Sequence, residues 1–307
     1  MSGGWPGALP CPVVDTDPAA WLAAREARIP ALTPGSEKTI RWAGTPGQRT
    51  PLAVVYVHGF SASRQETSPV PERIAQGLGA NLFATRLAGH GRNGAALAQA
   101  SLHDWALDMA EAIAIGRRLG QRLVLIGTST GGSLATLAAL EPEWAKDIAA
   151  LILISPNYAL NNRFAWMLDL PGARHWLPAL FGRHKSWPAL SPEHARYWTL
   201  AYPTRALFAL RATQRASAAA DHGAASVPML AFLSAADQVV RADAIRQTAA
   251  RWGATATLQT IDNAEDPFQH VITGTMRSPG TTETVIGNSL AWLADLPSPA
   301  TGSCHLA

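Results

Sequence analysis

The chain has 307 residues, of which 48% are hydrophobic and 15% charged, and this composition excludes disordered and fibrous proteins. Its net charge of +3 does not indicate a polyanionic partner, and no nucleic-acid-binding motif accompanies it. The sequence shows neither a secretory signal nor a run of about 18 apolar residues that could span a membrane, so we expect a cytoplasmic protein.

The two cysteines, Cys11 and Cys304, lie near opposite ends of the chain. We expect two unpaired thiols, because a disulfide between them would require the termini to meet. The sequence leaves that pairing open.

Short apolar runs alternate with longer helical patterns, which is typical of a mostly parallel sheet with helices on both faces. Seven of these runs predict strands: Ile40–Ala43, Leu52–Val57, Asn81–Arg86, Leu123–Ile126, Leu151–Ile154, Met229–Leu233 and Thr257–Ile261.

Helix signals fall between these strands. Ser68 is expected to cap one helix, with Pro69 at its first position. Ser101 opens a capping-box-like sequence, and Gly120 ends the helix that follows. Further helices are expected at Ser133–Leu140 and at about Thr282–Leu293.

The segment Tyr158–Ser226 has helical patches but no convincing strand. It is too long for an ordinary crossover, so we expect a helical insertion. This divides the chain into a core of residues 1–157 and 227–307 and an inserted unit of residues 158–226.

The sequence Gly127-Thr128-Ser129-Thr130-Gly131 follows a buried strand and opens a helix, the setting that a G-x-S-x-G nucleophile turn requires. Small flanking residues let strand and helix approach, and the strained turn exposes the serine hydroxyl. We predict Ser129 as the nucleophile and the Thr130 amide as an oxyanion donor. The alternative is a glycine-rich turn without a catalytic role.

A serine hydroxyl needs a base to become reactive. In such folds the order along the chain is serine, acid, histidine, each on a loop after a strand. Asp237 and His270 occupy the expected loops, so we predict His270 as the base and Asp237 as its orienting acid. Three carboxylates near the histidine are the alternatives for the acid: Asp262, Glu265 and Asp266.

The turn His58-Gly59-Phe60 follows the strand Leu52–Val57. Such a turn presents a backbone N–H to a developing oxyanion, here that of Phe60. His58 and His90 are expected to be structural.

These motifs, with Gly89-His90-Gly91 and the Val239-Val240 pair after Asp237, resemble the α/β-hydrolase superfamily. More narrowly, they resemble its monoacylglycerol lipases and bacterial carboxylesterases. The resemblance implies about eight mostly parallel strands, a helical cap after the sixth strand, and no metal or organic cofactor. Thr128 and Thr130 depart from the residues that many lipases carry there, which leaves the shape of the acyl pocket open.

The inserted segment carries eight basic and three acidic residues, a net charge of +5. One interpretation is a small unit with its own core and a solvated basic face. The other is an aromatic wall for the acyl group with a basic rim that draws anionic or interfacial substrates. On the second interpretation the substrate contacts are Phe164, Trp166, Met167 and Trp176.

Together these features predict a carboxylesterase or lipase that forms an acyl-enzyme. Its expected substrates are short- to medium-chain esters or monoacylglycerols. An amidase, peptidase or thioesterase with the same three residues is the alternative, followed by a hydrolase-like binding protein. The sequence leaves the oligomeric state open.

Overall fold

The computed structural model describes Trp5, Leu9 and residues 12–296. Cys11 and Cys304 lie outside the described residues, so the prediction about their thiols stays a prediction. Within the described part, no helix has the length and apolar character needed to cross a bilayer.

Nine strands occur among the described residues, and seven of them form one sheet in the order β1-β3-β2-β4-β5-β8-β9. Only β1 runs antiparallel to its neighbour in this sheet. The strands are β1 Thr39–Arg41, β2 Thr50–Val57, β3 Asn81–Ala84, β4 Gly120–Thr128, β5 Ile148–Ile154, β6 His184–Ser186, β7 Ala201–Pro203, β8 Met229–Leu233 and β9 Ala256–Thr260.

Eleven α-helices connect or follow these strands in the described part of the chain. They are α1 Pro18–Glu26, α2 Val70–Gly77, α3 Gly94–Leu97, α4 Leu102–Leu119, α5 Thr130–Leu140, α6 Pro142–Ala145, α7 Ala173–Phe181, α8 Pro192–Tyr197, α9 Leu207–Ala219, α10 Ala242–Ala250 and α11 Pro279–Asp295.

Two apolar layers sandwich the sheet. Leu123 and Leu125 of β4 face the layer that contains α4 and α5, whereas Val124 and Ile126 face the layer that contains α2 and α11. All four side chains are fully buried, which explains why a central parallel strand reads as a continuous apolar run.

All seven predicted sheet strands are present, close to their predicted bounds. The eighth strand that the resemblance implies is absent among the described residues. Residues 42–49, between β1 and β2, form turns and bends and add no strand to the sheet. For the same reason the insertion follows the fifth strand in chain order rather than the sixth.

The helix starts are partly as predicted. Ser101 and Asp104 form the reciprocal capping box of α4, as expected. Ser68, in contrast, does not cap α2, because its hydroxyl donates to Glu72 Oε1 at 3.3 Å. The helix begins at Val70 with no side-chain cap, so Pro69 precedes the first helical residue.

The segment between β5 and β8 contains α7, α8 and α9 and three short 3₁₀ turns. It also contains an antiparallel ribbon of β6 and β7, which corrects the expectation that it has no strand. Each ribbon strand has only three residues, and Tyr202 is the one buried residue among the six, so neither strand is long enough for an apolar alternation that a sequence pattern could detect. Helix α9 packs against α5 and connects the segment to the sheet layer.

Candidate active site

Ser129 lies between the end of β4 and the start of α5, at φ +52° and ψ −115°. Its N–H donates to Ile154 O at 2.9 Å, and its carbonyl accepts from the Asn157 N–H at 3.0 Å. A Cβ at Gly131 would lie 2.1 Å from Val57 O. The neighbouring strands therefore hold the serine in a strained turn that only a glycine at 131 permits.

The side chains of Ser129, His270 and Asp237 form one chain of hydrogen bonds. His270 Nε2 lies 3.0 Å from Ser129 Oγ, and His270 Nδ1 lies 2.8 Å from Asp237 Oδ2. Such an arrangement lets the imidazole take a proton from the hydroxyl while the carboxylate orients the ring.

Both carboxylate oxygens of Asp237 are occupied. While Oδ2 faces the imidazole, Oδ1 accepts from the Val239 N–H at 2.7 Å and from the Val240 N–H at 2.9 Å. Because the side chain is only 1% exposed, these bonds fix its orientation with little competition from water.

The pKa of His270 reflects two opposing influences. Burial lowers it, but the carboxylate of Asp237 raises it, with smaller contributions from Glu66 and Asp266. The net result is a pKa above the ordinary histidine value, so the site favours a positive charge on this ring.

Asp266, one of the alternative acids, holds the backbone of His270 rather than its ring. Its Oδ2 accepts from the His270 N–H at 2.9 Å and from the Val271 N–H at 3.1 Å. Its other oxygen pairs with Arg277. The remaining alternatives, Asp262 and Glu265, are exposed.

In the loop after β2, the backbone N–H groups of Gly59 and Ser61 are hydrogen-bonded, but that of Phe60 between them has no partner in the described part of the chain. The Gly59 N–H donates to Glu66 Oε2 at 2.6 Å, and the Ser61 N–H donates to His90 Nε2 at 3.0 Å. The Phe60 N–H between them makes no hydrogen bond within the described residues, and neither does the Thr130 N–H. Two unpaired donors therefore flank Ser129, as an oxyanion hole requires.

His58 holds the carbonyl end of the Gly59–Phe60 peptide, whose N–H is the unpaired one. Its Nδ1 lies 2.8 Å from Gly59 O, and its Nε2 accepts from the Leu87 N–H at 3.1 Å. Burial lowers the pKa of His58 to about 4 and that of His90 well below its usual value. Both rings are therefore neutral, and each can accept a hydrogen bond from an amide.

A family model described as serine aminopeptidase, S33, matches residues 48–265. The chain belongs to this family.

Curated and solved relatives of this S33 protein include lipolytic enzymes. A thermostable monoacylglycerol lipase of Bacillus sp. is 29% identical over 105 residues, which are 34% of this chain and 40% of that lipase. The match thus spans less than half of the relative's length.

Two solved structures show the same α/β-hydrolase fold. One belongs to a study of LipS and LipT, two metagenome-derived lipolytic enzymes, and aligns with a TM-score of 0.68 at 19% identity over 86% of this chain and 100% of that chain. The other is a soluble variant of the monoglyceride lipase of Saccharomyces cerevisiae, with a TM-score of 0.60 at 13% identity over 84% of this chain and 90% of that chain.

In this S33 protein, Ser129 and His270 open into a cavity of about 430 Å³. Most of its wall is apolar, and much of that wall comes from the segment between β5 and β8. The apolar lining residues from this segment are Leu160, Trp187, Pro188, Leu190, Trp198, Tyr202 and Leu210.

The four predicted substrate contacts do not line this cavity. Phe164 and Trp166 are 51% and 54% exposed, whereas Met167 and Trp176 pack on a small cluster formed by α7 and α9. That part of the insertion uses its apolar residues for its own core, and Trp187 and Trp198 reach the cavity instead. Sequence composition revealed the aromatic residues but not which of them face the serine.

Three ionisable residues of the cavity wall were not predicted as part of the site, namely Glu66, His194 and Arg277. None of them lies in a recognisable motif. Only the burial of Glu66, in the loop after His58-Gly59-Phe60, marks it as part of the site. Burial of a loop residue cannot be predicted from sequence.

Proposed function

We propose that this protein is a serine ester hydrolase in which Ser129 is the nucleophile, His270 the base and Asp237 the orienting acid. The observation that carries the proposal is the hydrogen-bonded chain of these three side chains at the wall of an apolar cavity. The unpaired amides of Phe60 and Thr130 supply the oxyanion hole.

In the proposed mechanism His270 removes the proton of Ser129, whose Oγ attacks the ester carbonyl. The bond to the alcohol breaks as His270 returns the proton to the departing oxygen. Water then attacks the acyl-enzyme by the same route and releases the acid and free Ser129. Asp237 stabilises the imidazolium that forms in each step.

The proposed substrates are uncharged esters of short to medium acyl chain, including monoacylglycerols. The apolar wall suits an acyl chain, and similarity to the Bacillus lipase supports the same choice. Residues 158–226 would then act as a cap that supplies much of this wall. Because none of the eight basic residues of that segment lines the cavity, steering of anionic substrates remains a separate hypothesis.

The first experiment compares wild type with Ser129→Ala on a short-chain ester. We expect the variant to lose roughly three to six orders of magnitude in kcat, because the reaction loses its nucleophile. Ser186→Ala, an exposed serine outside the cavity lining, is the matched control and should behave as wild type. Near-normal hydrolysis by Ser129→Ala would remove this serine from the mechanism.

A panel of matched ester, thioester and amide substrates separates the proposal from its main alternative. The description of the family as serine aminopeptidases makes peptide bonds the second candidate. A higher kcat/KM on aminoacyl amides than on esters would replace the esterase by a peptidase with the same residues.

A further inference from the structure

Glu66 is a buried carboxyl group that the proposed mechanism does not use. It is 2% exposed and lines the cavity together with Ser129 and His270. Its Oε2 accepts the Gly59 N–H at 2.6 Å, one residue before the proposed oxyanion donor Phe60.

Glu66 and the nucleophile flank the same glycine. A Cβ at Gly59 would lie 2.8 Å from Glu66 Oε1 and 3.2 Å from Ser129 Cβ. The carboxyl group is therefore a close neighbour of the place where a substrate carbonyl would sit.

The charged and titratable groups that face Glu66 are His270, Arg277, Asp266 and the phenol of Tyr56. Arg277 forms its ion pair with Asp266, and no ion pair among the described residues includes Glu66. A negative charge on Glu66 is thus left without a dedicated counter-ion.

Burial raises the pKa of Glu66 to about 7, against the opposing effects of the Gly59 N–H, His270 and Arg277. Below that pH the group is neutral, and above it the group is an anion beside the nucleophile. In both states one oxygen can accept the Gly59 N–H, so positioning and charge can be separated experimentally.

We propose that Glu66 positions the Gly59–Phe60 peptide of the oxyanion hole and, when ionised, makes the cavity select uncharged esters over esters with a carboxylate near the scissile bond. This inference rests on the proposed function, because it concerns the same serine-centred site. It names Glu66 as a positioning and specificity-determining residue rather than a catalytic one.

The charge test uses two esters of the same shape, methyl 4-methylpentanoate and monomethyl succinate, which differ in an isopropyl and a carboxylate end. The preference for the uncharged ester is the ratio of the two kcat/KM values. Ionisation of His270 affects both esters alike and cancels in this ratio.

In wild type we expect the preference for the uncharged ester to rise about tenfold between about pH 6 and pH 9. The reason is that Glu66 becomes ionised and repels the carboxylate of monomethyl succinate. In Glu66→Gln the ratio should stay constant with pH. Glu283→Gln, an exposed acid paired with Arg73, is the control and should keep the wild-type rise. An unchanged rise in Glu66→Gln would overturn the specificity role.

The positioning test adds Glu66→Ala. At about pH 6 the side-chain amide of Glu66→Gln can still accept the Gly59 N–H, so the kcat of this variant should stay within about threefold of wild type. Glu66→Ala has no such acceptor and should lose roughly 10- to 100-fold in kcat with little change in KM. Equal kcat values for Glu66→Ala and wild type would overturn the positioning role. Absence of ester hydrolysis in wild type would instead contradict the proposed function. Failure of the proposed function is therefore distinguishable from failure of the role assigned to Glu66.

Discussion

The imidazole of His270 lies between a hydroxyl and a carboxylate that are both buried. Burial disfavours its charged form, and Asp237, together with Glu66 and Asp266, more than offsets that effect. The consequence is a base whose pKa depends mainly on one neighbouring side chain.

Replacing that neighbour tests the dependence. In Asp237→Asn we expect kcat to fall by about 10⁴, because the amide no longer fixes the ring or its charge. The wild-type rate should decline as pH falls through a pKa above about 6.5, where His270 gains its proton. In the variant this decline should move to lower pH, because the largest influence that raises the pKa of His270 is lost while burial still lowers it.

A pH profile of kcat/KM measures both effects. Asp262→Asn, an exposed carboxylate in the loop that precedes His270, is the control and should leave the profile unchanged. A variant profile that falls at the same pH as that of wild type would show that Asp237 does not set the pKa of His270.

At this scale the sequence predicts side chains that belong to motifs and misses those that do not. Ser129, Asp237 and His270 each follow a strand in a recognisable order, and the structure brings them within hydrogen-bonding distance. Glu66 and Arg277 reach the cavity only through the path of their loops. Both have neighbours that are distant in sequence: Glu66 lies beside Ser129, and Arg277 Nη1 lies 3.2 Å from His194 Nε2.

At the junction of β4 and α5, helix and sheet pack with almost no free space. The helix passes so close to β2 that Gly131 has no room for a side chain against Val57 O. The approach holds the N-terminus of α5, and with it the Thr130 N–H, against the end of the sheet.

Gly131→Ala should therefore displace α5 and destabilise the fold by roughly 3 kcal/mol, the range of severe overpacking. Gly287→Ala is the matched control, since Gly287 lies on an exposed face of α11 with nothing within 4 Å of its added Cβ. It should be neutral or stabilising by up to about 1 kcal/mol, because alanine favours helix. Urea unfolding measures both, and equal midpoints would contradict the packing argument.

The inserted segment shows where element prediction fails. Helical patches were expected there, and α9 is its longest helix, but the ribbon of β6 and β7 was not expected. Strands as short as β6 and β7 form because a partner strand is available. Their three-residue sequences are too short to show a hydrophobic period. The role of residues 158–226 as a cap remains a proposal.

Across the whole molecule, a buried cluster of charges joins distant parts of the chain beneath the sheet edge. Lys38 pairs with Asp108 and with Glu111, and Arg86 pairs with Glu26 at 2.8 Å. Burial raises the pKa of Asp108 even in the presence of Lys38. The cluster therefore stays stable only while every charge keeps its partner.

Lys38→Met should lower the free energy of unfolding by about 3–5 kcal/mol, because buried Asp108 loses its counter-ion and Glu111 keeps only Arg25. With its folded pKa raised further, Asp108 would hold its proton in the folded state and release it on unfolding. The loss should thus be larger at neutral than at acid pH. Unfolding at both pH values tests this, and Arg73→Met, which breaks an exposed pair, should change little.

The sequence by itself determined the order of the seven sheet strands and marked Ser129, Asp237 and His270 as candidates, because periodicity and turn chemistry are local properties. The family model and the solved structures agree with the α/β-hydrolase resemblance that those motifs carry. Only the tertiary structure decided which aromatic residues wall the cavity, and that Glu66 lies beside Ser129 and accepts the Gly59 N–H. Those facts depend on how loops far apart in the chain pack against each other, and such packing leaves no periodic pattern in the sequence.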